Sequence, residues 1–205
     1  IYLGDGNILT AANIVYSASF VEVTSADGSQ TVPVTVTAFD PEANLALLRL
    51  KNEADAAFLD KLVPVTLGNA PRLGDKVTFW QFNDDGLPIT TSGTLLATES
   101  SSPFTNSEPF VLYNVKSSVT PLKGGAGNPI MRDNKLVALS ASCDPSAQKA
   151  LAVTHTMISR FLQQARSGNY TGFPADGTQV TELTDPVFRK FLGLPETGGG
   201  FYVVK

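Results

Sequence analysis

Val32-Pro33-Val34-Thr35-Val36-Thr37-Ala38 alternates apolar and polar positions with a period of two, the pattern of a strand that buries one face. Upstream lies Phe20-Val21-Glu22-Val23, and Asp27-Gly28 stands between the two runs, so the spacing predicts a hairpin. Downstream, Leu45-Ala46-Leu47-Leu48-Arg49-Leu50 is more continuously apolar, as expected of a strand covered on both faces. A Pro/Gly-containing stretch, Leu67-Gly68-Asn69-Ala70-Pro71-Arg72-Leu73-Gly74, then separates these strands from a second set. That set contains Val77-Thr78-Phe79-Trp80, Thr94-Leu95-Leu96, Val111-Leu112-Tyr113 and Leu136-Val137-Ala138-Leu139. The expectation is an all-β chain of two small β units in tandem.

The period changes after Val153. Met157, Ile158, Phe161, Leu162 and Ala165 fall on one helical face, and Gly168 is placed to stop the helix. Thr184-Asp185-Pro186 predicts a second helix, an N-cap residue followed by Pro in the first turn, with Val187, Phe191 and Leu192 as its apolar positions. A last strand is expected over Gly200 to Val204. Asp84-Asp85-Gly86 reads as a hairpin turn, since it lacks the further carboxylates of a calcium loop, and Ser100-Ser101-Ser102 as a solvated loop.

The 205 residues include one Cys, Cys143, and one His, His155. These form neither an internal disulfide nor the usual Cys/His zinc cluster, so no metal and no cofactor is expected. A formal charge of -4, with Lys and Arg thinly spread, argues against nucleic acid or an anionic membrane surface as partner. The sequence shows neither an apolar run long enough to span a bilayer nor a leader-like segment, and no membrane insertion is expected of it. His155 begins the predicted linker helix, where a surface histidine is the plain reading. Cys143 has no basic neighbour in Ser140-Ala141-Ser142-Cys143-Asp144-Pro145 to activate its thiol.

The informative segment is Lys123-Gly124-Gly125-Ala126-Gly127-Asn128-Pro129-Ile130, a glycine-dense turn that lets backbone N–H groups converge on one point. Two others add weight to it: Gly6-Asn7-Ile8-Leu9-Thr10-Ala11-Ala12-Asn13-Ile14-Val15 and Asp40-Pro41-Glu42-Ala43-Asn44-Leu45-Ala46-Leu47-Leu48. Together the three resemble the trypsin-like serine proteases of the HtrA/Deg family. There I-L-T-x-x-H-V-V carries the general base, D-P-x-x-D-L-A-L-L the orienting aspartate and G-N-S-G-G-P the nucleophile. The resemblance implies a chymotrypsin/trypsin-like double β-barrel: residues 1–67 an N-terminal barrel incomplete at its start, 68–153 a C-terminal barrel, and 154–168 a linker helix. Residues 169–205 resemble the first half of a PDZ domain, with Tyr170, Thr171, Gly172 and Phe173 at its carboxylate-binding loop.

In this resemblance the His, Asp and Ser positions are held by Asn13, Asn44 and Ala126. A carboxamide does not titrate near neutral pH, and Ala126 has no oxygen with which to attack a carbonyl. Lys116 replaces the family's upstream aspartate, Leu122-Lys123 is inserted, and Asn128 stands where the family has glycine. So many changes point to natural loss of catalysis, since laboratory inactivation normally alters one residue. The expectation is a pseudoprotease, not an enzyme, retaining the oxyanion-hole remnant Gly124 and Ala126. Its partner is expected to be a protein or peptide, with an active homologue in a mixed oligomer as one case. An engineered inactive protease and a chaperone-like binder of unfolded chains are the rival readings. By family resemblance the location is the bacterial cell envelope or an organelle.

Overall fold

The computed structural model describes residues 1–82, 87–103, 109–117, 125–168, 170–174, 177–178 and 180–204. The turn expected at Asp84-Asp85-Gly86, the inserted Leu122-Lys123 and Gly124 of the expected oxyanion pair lie outside the described residues. The chain divides into two compact units, Ile1–Gly172 and Phe173–Lys205.

In the larger unit, β1 (Ile8–Thr10), β2 (Val21–Thr24), β3 (Thr31–Asp40) and β4 (Leu45–Leu50) form a four-stranded sheet in the order β1-β4-β3-β2. The expected hairpin joins β2 to β3, with Val23 opposite Val32. Its turn is tied by Asp27, whose carboxylate accepts from the Ser25 and Ser29 hydroxyls and the Ser29 N–H. These donors, Ser25 first, hold Asp27 down at about 2. Leu45 to Leu48 are all buried, as their unbroken apolar run requires. The alternation in β3 is interrupted: Val32, Val34 and Ala38 face inward, but Val36 is 41% exposed. The pairing with β4 shifts between Val36 and Ala38, and a bulge of this kind bends a strand and redirects its side chains.

The second half of this unit is a closed barrel, β10-β7-β6-β5-β8-β9 around the ring. Its strands are β5 (Lys76–Phe82), β6 (Pro88–Ser101), β7 (Phe110–Ser117), β8 (Pro129–Arg132), β9 (Lys135–Asp144) and β10 (Lys149–Thr154). Val77, Phe79, Leu95, Tyr113, Val115, Ile130, Val137, Ala138, Ala150 and Ala152 fill it. Gly93 is needed at its place on β6, because a Cβ there would meet Phe79 Cε2 at 2.7 Å. The expectation of a solvated loop at Ser100-Ser101-Ser102 is corrected: Ser100 and Ser101 continue β6, paired with Val111 and Phe110 of β7. Strand pairing here overrides a polar composition that by itself favours a loop.

Two short helical turns, α1 (Ala12–Val15) and α2 (Ala57–Asp60), belong to the first half. The helix α3 (His155–Arg166) follows β10 directly, and the Thr154 hydroxyl accepts the Met157 N–H as its N-cap. Met157, Ile158, Phe161 and Leu162 are buried, the face expected from their spacing. Tyr170 packs edge-on against Phe161, with ring centroids 5.0 Å apart, and donates its phenol to the buried Asp40 carboxylate.

The smaller unit pairs β11 (Val180–Glu182) with β12 (Phe201–Val203) around α4 (Pro186–Phe191). Asp185 caps α4 through the Val187 and Phe188 N–H groups. Its inward residues differ from those expected: Val187 and Phe191 are exposed, whereas Arg189 is buried and Phe188 packs edge-on against Tyr202. The Arg189 guanidinium donates to the carbonyls of Leu183, Pro195, Thr197 and Gly199. A buried cation spent on backbone acceptors orders the turn between α4 and β12, which periodicity in apolar residues does not reveal.

Candidate functional site

Antiparallel pairing of β1 with β4 sets Thr10 opposite Ala46, so the chain leaving β1 runs beside the chain entering β4. That register brings Asn13, in the turn α1, to Asn44, just before β4. The Asn13 backbone N–H donates to Asn44 Oδ1 at 2.9 Å. Asn44 is fully buried with φ of +55°, a left-handed conformation that Asn tolerates better than most residues. Its Nδ2 and the Oδ1 of Asn13 are both buried and have no partner among the described residues. An orphaned donor and an orphaned acceptor each cost about 1–3 kcal/mol of desolvation.

The Asp40–Asn44 turn is itself anchored. Asp40 accepts the Ala43 N–H at 2.7 Å through one oxygen and the Tyr170 phenol through the other. Burial, with the Asp40 carboxylate next, pushes the Tyr170 hydroxyl well above its usual range.

Ala126 stands next in the chain to a residue that reaches this place from the barrel. Its neighbour Gly127 has φ of +80°, and a Cβ on it would lie 2.7 Å from Ile14 Cδ1 and 3.5 Å from Ala11 Cβ. The glycine-rich turn therefore presses against α1 on either side of Asn13. The pairing of β8 with β9, Pro129 opposite Leu139, sets Asn128 across from Ser140. Gly127 N–H donates to the Ser140 carbonyl at 2.7 Å, and Ser140 N–H returns a bond to the Asn128 carbonyl at 2.9 Å. The Ser140 hydroxyl accepts the Asn128 N–H at 2.9 Å and donates to the Gly125 carbonyl. That same carbonyl accepts from Asn128 Nδ2 at 2.9 Å and from the Cys143 thiol at 3.6 Å. Ser140 and the side-chain role of Asn128 escaped the sequence reading. A register for the β8–β9 hairpin was the one signal that would have found them.

The remaining sequence candidates lie elsewhere in function. His155 is the first residue of α3 and is partly exposed. Cys143 is half-buried on β9, and burial pushes its thiol up to about 11, which keeps it protonated and a poor nucleophile near neutral pH. Lys116 on β7 donates to the Ala147 carbonyl at 3.0 Å, away from the turn that holds Ala126. Among the described residues, no group of three or more His, Cys, Asp or Glu is placed to hold a metal ion. No helix among them is long and apolar enough to cross a membrane.

Comparison with known proteins decides the family. The signature described as trypsin-like peptidase domain matches residues 1–139. The chain belongs to this family. Its curated relatives are Do-like proteases of Arabidopsis thaliana. Protease Do-like 2, chloroplastic, is 27% identical over 203 residues, covering 96% of this chain and 33% of the relative. Protease Do-like 4, mitochondrial, is 26% identical over 169 residues, covering 81% and 32%. This trypsin-like chain thus spans about a third of the length of those relatives. Among solved structures, the HtrA-type protease AlgW with a decapeptide superposes over 100% of this chain and 62% of its own, with a TM-score of 0.74 at 19% identity. The Rv3671c protease of M. tuberculosis in its active form covers 85% of this chain and 74% of its own, with a TM-score of 0.66 at 15% identity. The double-barrel fold expected from the three motifs is therefore the fold of this HtrA-like protein.

Proposed function

We propose that this trypsin-like chain is a catalytically silent member of the HtrA group that works by binding protein, as a scaffold or regulatory subunit of an active homologue. The observation that supports the reading is that Asn13 is bonded to Asn44 and that the turn holding Ala126 packs, at Gly127, against Ala11 and Ile14 near Asn13. General-base chemistry needs a group that titrates near the working pH, and nucleophilic catalysis needs an oxygen or sulfur beside it. At the positions that the resemblance assigns to the triad stand two carboxamides and a methyl group. In triad proteases, loss of the triad leaves only about 10³- to 10⁴-fold over water, from binding and the oxyanion hole. Peptide can still be held by backbone pairing at strand edges without any of this chemistry. By the same resemblance, residues 169–205 are PDZ-like, and the Tyr170-Thr171-Gly172-Phe173 loop would receive a peptide carboxylate.

Two measurements test the proposal. Purified protein is expected to hydrolyse neither casein nor activated esters above background. Turnover that survives repurification and is unaltered by substitution at Ala126 would show that other residues do the chemistry. Asn13→His, Asn44→Asp and Ala126→Ser made together are expected not to restore proteolysis, because Asn128 and the inserted residues alter the nucleophile turn. A displacement of about 1 Å can cost on the order of 10²-fold. Robust proteolysis by the triple variant counts against a drifted turn and favours an inactivated protease.

A further inference from the structure

β10, β7, β6 and β5 lie side by side in the barrel, and their register lines up one row of residues across its wall. Lys149 on β10 stands opposite Lys116 on β7, Lys116 opposite Thr94 on β6, and Thr94 opposite Lys76 on β5. Their chain neighbours Ala150, Val115, Leu95 and Val77 fill the barrel, so by the two-residue period of a strand the whole row faces outward. Lys116 and Lys149 are like charges directly opposite one another, an arrangement that destabilises a sheet.

Glu99 neutralises Lys149 at 3.0 Å. Lys116 and Lys76 form no ion pair among the described residues. Lys76 donates to Thr94 Oγ1 at 2.9 Å and Lys116 to the Ala147 carbonyl at 3.0 Å, both of them neutral acceptors. The carboxylates near the row are already engaged, Asp75 and Asp133 with Arg132, and Asp144 with Ser146 and Ala147 of its own turn. Along the row runs a groove of about 480 Å³, whose lining includes Lys76, Thr78, Thr94, Lys116, Met131 and Arg132.

We infer that this groove docks an acidic segment of a protein partner, with Lys76 and Lys116 each receiving one carboxylate. Lys116, which stands where the family resemblance has an aspartate, thereby gains a use that the candidate site does not give it. The two residues are separated by two strand spacings, roughly 10 Å, and their ammonium groups are held apart, one on Thr94 and the other on the turn between β9 and β10. Two carboxylates on one peptide match that separation better than a single compact anion. Exchanging a neutral acceptor for a carboxylate strengthens each lysine's hydrogen bond and offsets the repulsion between Lys116 and Lys149. The groove contains none of Asn13, Asn44 and Ala126, so its test is independent of how that site is read.

The experiment titrates fluorescein-labelled hexaglutamate with the purified protein, followed by fluorescence anisotropy at low and at physiological ionic strength. Saturable binding that weakens with salt is expected of the parent. Lys76→Gln and Lys116→Gln together are expected to weaken it about tenfold, roughly threefold per lysine, as for exposed charge pairs. Lys76→Arg with Lys116→Arg should retain it, and Lys51→Gln, an exposed lysine just after β4, should leave it unchanged. Absence of saturable binding by the parent at low salt overturns the inference, as does a double Gln variant that binds like the parent. Equal weakening by Lys51→Gln marks diffuse attraction to the whole surface and also overturns it. Displacement of the peptide by inorganic phosphate as effectively as by unlabelled hexaglutamate overturns the assignment of two carboxylates.

Discussion

Asn44→Asp separates two ways of filling the position before β4. Asn44 is fully buried, and its Oδ1 already accepts the Asn13 N–H at 2.9 Å while its Nδ2 has no partner among the described residues. A carboxylate there keeps the one acceptor bond and brings a buried charge to a position whose described hydrogen-bond partner is a neutral N–H. Burial of that kind raises a carboxyl by as much as 3–5 pKa units, and the single N–H bond offsets part of it. Taking roughly 3 units above the unfolded value of about 3.9, at about 1.36 kcal/mol per unit, the variant should lose on the order of 4 kcal/mol at about pH 7. The sign follows from the raised folded pKa. Stability relative to the parent is preserved below about pH 4, where a protonated carboxyl replaces the amide as donor, and is lost as pH rises toward the folded value. Urea unfolding of both proteins from about pH 4 to 8 measures the difference. A difference that stays flat across the range, or a variant more stable than the parent near neutrality, would refute the premise that this pocket is built for a neutral side chain. The same cycle with Asn13→His tests whether an imidazole restores what the carboxylate lost; a favourable coupling of roughly 1–3 kcal/mol is expected for groups in contact.

Three further predictions follow from the same turns. Gly127→Ala puts a Cβ 2.7 Å from Ile14 Cδ1 at a φ of +80°, so a loss of about 1–3 kcal/mol in unfolding free energy is expected, and Ile14→Ala should return part of it. Tyr170→Phe removes the phenol bond to buried Asp40 and should cost roughly 1.5–3 kcal/mol near neutral pH. Because the folded hydroxyl is raised, its contribution is present below about pH 10 and declines above it, so the parent and the variant should converge in alkaline melts. Cys143, pushed up to about 11, should react with iodoacetamide near pH 8 far more slowly than a free thiol whose ordinary value is about 8.5, and a rate matching free cysteine would contradict the burial of its Sγ.

Much of this protein is written in local pattern. Alternation in Val32 to Ala38, the unbroken Leu45 to Leu50 and the helical spacing of Met157 to Leu162 each announce an element, because a side chain's face follows from backbone period alone. Even so, a bulge turned Val36 outward, pairing with β7 drew Ser100 and Ser101 into β6, and burial of Arg189 rather than Val187 set the face of α4. The motifs carrying Asn13, Asn44 and Ala126 were legible as three separate strings. What joined them was tertiary. Asn13 meets Asn44 across 31 residues, Tyr170 reaches Asp40 across 130, and Ser140 closes on Gly125 from the neighbouring strand. Such contacts depend on strand register, and a register shift of one residue would point every one of these side chains the other way. The sequence by itself named the three positions proposed for the site and showed that two carboxamides and a methyl group occupy them. Only the folded chain decided what holds the turn before Ala126, because two of the donors to the Gly125 carbonyl, Ser140 and Cys143, lie on another strand whose register local pattern does not specify.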